Sequence, residues 1–174
     1  MEKHKKRTGT SQVTTEIVDL FKSENNNSST HAFHFNTDDI NQVCDFTENI
    51  EILVKKSSGK HGSITSFTPH TTTAVRINES ETGDINGFKK KLEDHVPSDA
   101  YYEHDDWDLR TENMQEDENV NGRSHVRGSI IGSTAITLPI VDFEMIMGRW
   151  QRLFFVELDC ARPRRLFIQI QDIS

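Results

Sequence analysis

Cysteine is scarce in this sequence: Cys44 and Cys160 are the only two. One bridge is the most they could form, so a disulfide framework is excluded as the source of stability. Reduced thiols in a reducing compartment are the simpler expectation, and the cytoplasm is the expected location. Long apolar runs are also absent. None approaches the roughly 20 residues that a membrane-crossing helix needs. Positive charge is in deficit, with 20 basic residues against 28 acidic ones and a formal net charge of -8. A net anion is repelled by phosphate backbones and by anionic membrane surfaces, so neither nucleic acid nor membrane is an expected partner. Lys3, Lys5, Lys6 and Arg7 make a basic start, but no apolar stretch follows them, as a secretory signal would require. Residues 1–12 read as a disordered, solvated tail.

Several motifs are missing too. There is no phosphate loop of the Gly-x-x-x-x-Gly-Lys type and no Gly-x-Gly-x-x-Gly fingerprint. No Gly-x-Ser-x-Gly nucleophile turn occurs, and no paired cysteines have the spacing of a structural zinc site.

What is present fits one domain over residues 13–174, long enough to bury a core without metal or disulfide staples. The hydrophobic share is only 33%. That points to long loops, or to an oligomer that shares its core. Residues 14–21 and 31–35 read as paired strands. Thr37 could cap a short helix over 38–46. Residues 50–54, 63–67 and 73–77 read as strands. Residues 84–95 make the best helix, with Ile85, Phe88 and Leu92 at helical spacing and Pro97 just past the end. Residues 98–119 hold nine carboxylates against Arg110 alone and read as a loop. A short helix is expected over 124–131. Four close-spaced strands, 133–140, 143–147, 152–159 and 165–171, then suggest an antiparallel meander. The fold class is α+β.

Chemistry-bearing residues cluster at the predicted strand ends. In His70-Thr71-Thr72-Thr73 the hydroxyls could orient the imidazole or bind phosphate oxygens. A purely structural histidine is the plainer alternative. Asn78-Glu79 could hold a metal or act as orienter and base. The plainer alternative is a turn with a helix-entry acid. His104, flanked by Glu103 and Asp105, suits a divalent cation, although acidic loops are usually only solvated. Ser124-His125-Val126-Arg127 opens a predicted helix, whose free N–H groups and Arg127 could bind an anion. Trp150, before Gln151, could stack on a flat ring or plug the core. Glu157 and Asp159 share a strand face near Arg162, Arg164 and Arg165 and could form a site or a subunit salt-bridge cluster.

In order and spacing, these stretches resemble the YjbQ-like family, the group labelled secondary thiamine-phosphate synthase. The stretches are His70-Thr71-Thr72-Thr73-Ala74, Ile77-Asn78-Glu79, Val96-Pro97, Tyr102-Glu103-His104-Asp105, Ser124-His125-Val126-Arg127, Leu138-Pro139-Ile140 and Gly148-Arg149-Trp150-Gln151 followed by Glu157. The resemblance covers nearly the whole chain from Thr14. It departs at Arg149, where the family has threonine, and near Phe143, where the family has a turn glycine. After Glu79, Ser80-Glu81-Thr82-Gly83-Asp84 replaces the family's Asp-Pro and further Asp.

The resemblance implies antiparallel, sandwich-like sheets with a few helices, assembled as a homotrimer with a pocket near the subunit interface. It also implies thiamine-phosphate synthase-type activity. A pyrimidine diphosphate would be joined to a thiazole phosphate, with release of pyrophosphate. In that transferase reading His70, Asn78, Glu79 and His125 are the catalytic candidates. Thr71, Thr72, Arg127, Trp150 and Gln151 are the substrate contacts. Glu79, Asp84 and His104 would hold a divalent metal, magnesium or zinc. The alternative is a non-catalytic trimer that binds a metal or a small anion.

Overall fold

Four consecutive apolar residues, Leu153, Phe154, Phe155 and Val156, decide the layering. A strand turns successive side chains to opposite faces, so this one needs cover on both. The computed structural model describes residues 9–11, 13–25 and 27–173. Along them run β1 (Glu16–Lys22), β2 (Ser28–Asn36), β3 (Val43–Asp45), α1 (Thr47–Lys55), β4 (His61–Phe67), β5 (Thr73–Glu79) and α2 (Thr82–His95). A 3-10 turn follows at Glu103–Asp105. Then come α3 (Gly122–Ile131), β6 (Ala135–Val141), β7 (Glu144–Met145), β8 (Gln151–Glu157) and β9 (Pro163–Ile173). This is the expected α+β class. Among the described residues the strands form a large sheet of order β1-β2-β9-β4-β6-β7 and a small one of order β3-β8-β5.

The small sheet lies between the large sheet and two helices. Leu153 and Phe155 meet Phe33, Phe35, Ile64, Leu166, Ile168 and Ile170 of the large sheet. Phe154 and Val156 face the other way, toward Ile85 and Leu92 of α2 and Ile131 of α3. Each such side chain, fully buried, contributes about 1.5–3 kcal/mol. β9 alternates, with Arg164, Leu166, Ile168 and Ile170 buried and Arg165, Gln169 and Gln171 exposed. It therefore covers one face only.

Three sequence expectations are overturned. Residues 50–54 form α1 rather than a strand. A strand would set Ile50, Ile52 and Val54 on one face, yet Ile50 and Val54 are 0% exposed and Ile52 is 52% exposed. That pattern is helical. The helix expected over 38–46 is replaced by β3. Asn41 adopts a left-handed φ of 56°, which stops a helix from forming there. The C-terminal meander is limited to the β6–β7 hairpin, since β8 joins the small sheet and β9 inserts between β2 and β4. That hairpin turns through positive φ at Asp142 (52°) and Phe143 (64°), where the resemblance leads one to expect glycine.

The expected disordered tail lies outside the described residues except for 9–11. Within those, Ser11 bridges Cys44 and donates its N–H to Val43 O at 2.8 Å. Cys44 and Cys160 are both free thiols. No described helix is long and apolar enough to cross a membrane.

Candidate functional site

β5 runs antiparallel to β8, pairing Thr73 with Glu157 at one end and Glu79 with Gln151 at the other. These pairs sort the candidate residues into two groups. At the Thr73 end charge is buried. Glu157 is 0% exposed and Arg164 is 4% exposed. Arg164 Nε donates to Glu157 Oε2 at 2.6 Å and Nη2 donates to Oε1 at 2.5 Å. Thr37 Oγ1 donates to the same carboxylate at 2.8 Å, as does the Asp159 N–H at 2.9 Å. Thr72 Oγ1 accepts from Arg164 Nη2 at 3.2 Å, so this hydroxyl belongs to the network and not to an open pocket.

His70 sits beside this network. Its Nε2 accepts the Arg165 N–H at 3.0 Å. Burial, then the positive charges of Arg164, Arg165 and Arg162, push the imidazole down to about 4. It is therefore neutral near pH 7.

On the other side of the same loop, Thr71, Glu103, His104, Arg110, Glu118 and His125 line a cleft of about 610 Å³. The rings of His104 and His125 lie 4.3 Å apart, centroid to centroid, at 48°. Asp159 Oδ2 accepts from Asn121 Nδ2 at 2.9 Å, and Asn121 Oδ1 lies 3.1 Å from His104 Nε2. Glu118 Oε1 is 3.3 Å from the same nitrogen. Arg110 Nη1, a donor, lies 3.2 Å from it as well, so this nitrogen meets two acceptors and one donor. Burial, with His104 adding to it, pushes His125 below its usual 6.5. α3 approaches the loop closely because Gly128 has no side chain; a Cβ there would meet Thr71 O at 3.0 Å.

Two sequence expectations for anion binding fail on geometry. Arg127 is 0% exposed. Its guanidinium donates to Val96 O, Asn41 Oδ1, Glu93 Oε2 and Ser98 Oγ, which leaves nothing for a ligand. The N-terminus of α3 is capped from within: Asp105 Oδ1 accepts the N–H of Asn121 at 2.9 Å and that of Gly122 at 2.8 Å.

Asn78, Glu79, Asp84, Trp150 and Gln151 lie at the other end of the small sheet. The seven-residue length of β5 separates them from His70 by roughly 20 Å. Asn78 Nδ2 donates to Asp84 Oδ2 at 2.7 Å. Glu81 caps α2, accepting the N–H of Gly83 and of Asp84, each at 2.8 Å. Trp150 is 61% exposed, not in the core, and the Arg149 guanidinium lies 4.7 Å over its ring. Gln151 Oε1 accepts the Gly148 N–H at 2.7 Å. The metal set of Glu79, Asp84 and His104 is thus divided between the two ends. Among the described residues no group of three or more His, Cys, Asp or Glu side chains is placed to hold a metal ion. The described residues do not bring the implied metal's ligands together.

A family model described as UPF0047 protein YjbQ-like matches residues 31–173. This chain belongs to the YjbQ-like family. A UPF0047 protein of Methanothermobacter thermautotrophicus is 31% identical over 129 residues, covering 74% of this chain and 82% of the relative. One from Archaeoglobus fulgidus is 30% identical over 128 residues, covering 74% of this chain and 90% of the relative. A hypothetical protein of Aeropyrum pernix, solved by crystallography, matches with a TM-score of 0.70 at 26% identity, covering 83% of this chain and 98% of that one. A YbjQ-like protein of unknown function from Sulfolobus solfataricus matches with a TM-score of 0.69 at 23% identity, covering 84% and 99%. The second structure shares the fold.

In this YjbQ-like chain, sequence reading missed the Asp159–Asn121–His104 relay and the anchoring of Arg110. Arg110 Nη1 donates to Glu118 Oε1 at 2.8 Å and to His104 O at 3.1 Å, tying the acidic loop to itself beside the cleft. One signal was available. Arg110 is the only cation among nine carboxylates, and such a residue commonly organises the acids around it.

Proposed function

We propose that this YjbQ-like chain acts on a small polar ligand in the Thr71–His104–His125 cleft, and that the two imidazoles handle protons there. One observation carries the reading: two histidine rings meet at 4.3 Å in a cleft of a size that holds small molecules. His125 is held neutral near pH 7 by burial, and His104 is oriented through Asn121 from a buried carboxylate. A neutral imidazole beside an oriented one can donate to one ligand atom while accepting from another.

The reaction class is that implied by the family resemblance, thiamine-phosphate synthase-type condensation. A thiazole ring nitrogen attacks the pyrimidine methylene. A C–N bond forms, the C–O bond to diphosphate breaks and pyrophosphate leaves. His125 donates to the ligand and His104 accepts from it. A homotrimer is the assembly in this reading. The exposed Phe67, stacked on Phe167 at 6.3 Å on the outer face of the large sheet, supports contact with another copy. Sizing in solution checks it, and a monomer would remove it. The free, exposed Cys160 supports a cytoplasmic setting.

The test uses purified chain, both thiamine precursors and magnesium, with thiamine phosphate measured by mass spectrometry. Wild type is expected to form product, and His125→Ala to lose about a hundredfold in rate. No product above that control would remove the synthase chemistry. A second reading, a binding protein without turnover, is favoured by one observation: Arg110 and Arg127 are both taken up by the protein's own carboxylates. Ligand binding that His125→Ala weakens, with no product from wild type, would select it.

A further inference from the structure

With Arg127 buried, the chain's accessible positive charge near these histidines lies elsewhere. β9 opens Pro163-Arg164-Arg165, and strand alternation sends the two guanidiniums to opposite faces. Arg164 points inward to Glu157. Arg165 points outward, and among the described residues it forms no ion pair. Its guanidinium lies 5.6 Å over the Phe167 ring, which holds it against the sheet. Register pairs Arg165 with His34, and His34 with Glu16, so the three residues form one row across three strands.

On the other flank, β4 ends at Phe67, paired with Phe167. The Arg165 N–H lies beyond that last pair, and His70 Nε2 takes it. An acceptor at Nε2 requires that the neutral ring carry its proton on Nδ1, which is then a donor. Among the described residues that Nδ1 has no hydrogen-bond partner. Thr14, Glu16, His34, Asn36, His70 and Arg165 line a cleft of about 480 Å³. Glu16 is the one acid in that lining. The charges that depress His70 are all arginines, so at this ring the local field is positive in a chain of net charge -8.

We propose that this cleft is a phosphoryl-binding site, separate from the His104–His125 cleft across the His70–Thr71 backbone. The Arg165 fork takes two phosphate oxygens, the His70 Nδ1–H donates to a third, and His34 faces the same group. Glu16 opposes binding. It disfavours a bare dianion in the outer part of the cleft and favours a pose close to His70. The site stands on its own residues and does not depend on the synthase reading.

Inorganic phosphate and pyrophosphate are the probes, titrated into the full chain while the histidine ring protons are followed by NMR across pH. Saturable binding is expected. It should raise the His70 pKa from about 4 by about one unit or more, as a neighbouring anion does. Arg165→Gln, an exposed change that removes the charge and the guanidinium fork, is expected to weaken binding about tenfold. Glu16→Gln is expected to tighten it. An equal ionic strength of chloride is expected to leave His70 in place. Phosphate that moves neither His70 nor His34, or that binds Arg165→Gln as tightly as wild type, would overturn the proposal. Failure of thiamine phosphate synthesis would leave it intact.

Discussion

At Thr73, β5 enters a region where charge is buried and cross-linked; at Glu79 it leaves into solvent. The first end holds Glu157, Asp159, Arg164 and Asn121, each at most 6% exposed and each hydrogen-bonded to a neighbour. The second holds Asn78, Glu79, Asp84 and Trp150, all exposed, with contacts mainly along the surface. Buried charges are costly to desolvate, so they persist where partners hold them in one arrangement. The Thr73 end is therefore fixed before any ligand arrives, and fixed groups suit recognition and proton transfer. The Glu79 end lacks that constraint.

The comparison is most severely tested by breaking the buried pair. Arg164→Met leaves Glu157 uncompensated and is expected to cost about 3–5 kcal/mol. Glu157→Leu added to it should recover most of the loss. Glu79→Gln at the open end is expected to change stability by no more than about 0.5 kcal/mol. Urea unfolding of the four proteins measures all of this, and similar losses at both ends would erase the contrast. A smaller effect is expected from Asp105→Ala. It uncaps α3 beside His125 and should cost about 1 kcal/mol by the same measurement.

A pH dependence also differs between the ends. His70 is depressed from 6.5 to about 4 in the folded chain. The unfolded chain thus binds its proton first as pH falls. Stability from this group is full above 6.5, declines between 6.5 and about 4, and is flat below. The Glu81 carboxyl, held below its usual 4.5 by the N–H groups of Gly83 and Asp84, acts lower. Its contribution is present above 4.5 and fades as pH falls through its folded value. His70→Asn should flatten the upper limb only, and Glu81→Gln the lower limb only.

Much of the fold was legible. β-branched runs marked β4 and β5, helical spacing of Ile85, Phe88 and Leu92 marked α2, and the family resemblance supplied the sheets. The misreading at 50–54 has a physical cause. Ile50, Ile52 and Val54 satisfy strand alternation on their own, and only Phe46 and Leu53 extend the helical face. The meander failed because four strands close in sequence can belong to two sheets. The both-faces apolar run of β8 was the available clue. Within the site, His70, His104 and His125 could each be singled out, but nothing local says that the rings at 104 and 125 meet or that 70 faces another cleft. Arg127 looked like a ligand anchor because its partners, Glu93, Val96 and Asn41, come from distant stretches.

Which end receives the ligand can be read directly from backbone amide shifts while the pyrimidine and thiazole phosphates are titrated in. The account predicts saturable shifts at residues 70–72, 103–110 and 121–128, beside those that phosphate alone produces around 34–36 and 165. Shifts centred on residues 78–84 and 148–151, or no shifts anywhere, would contradict it.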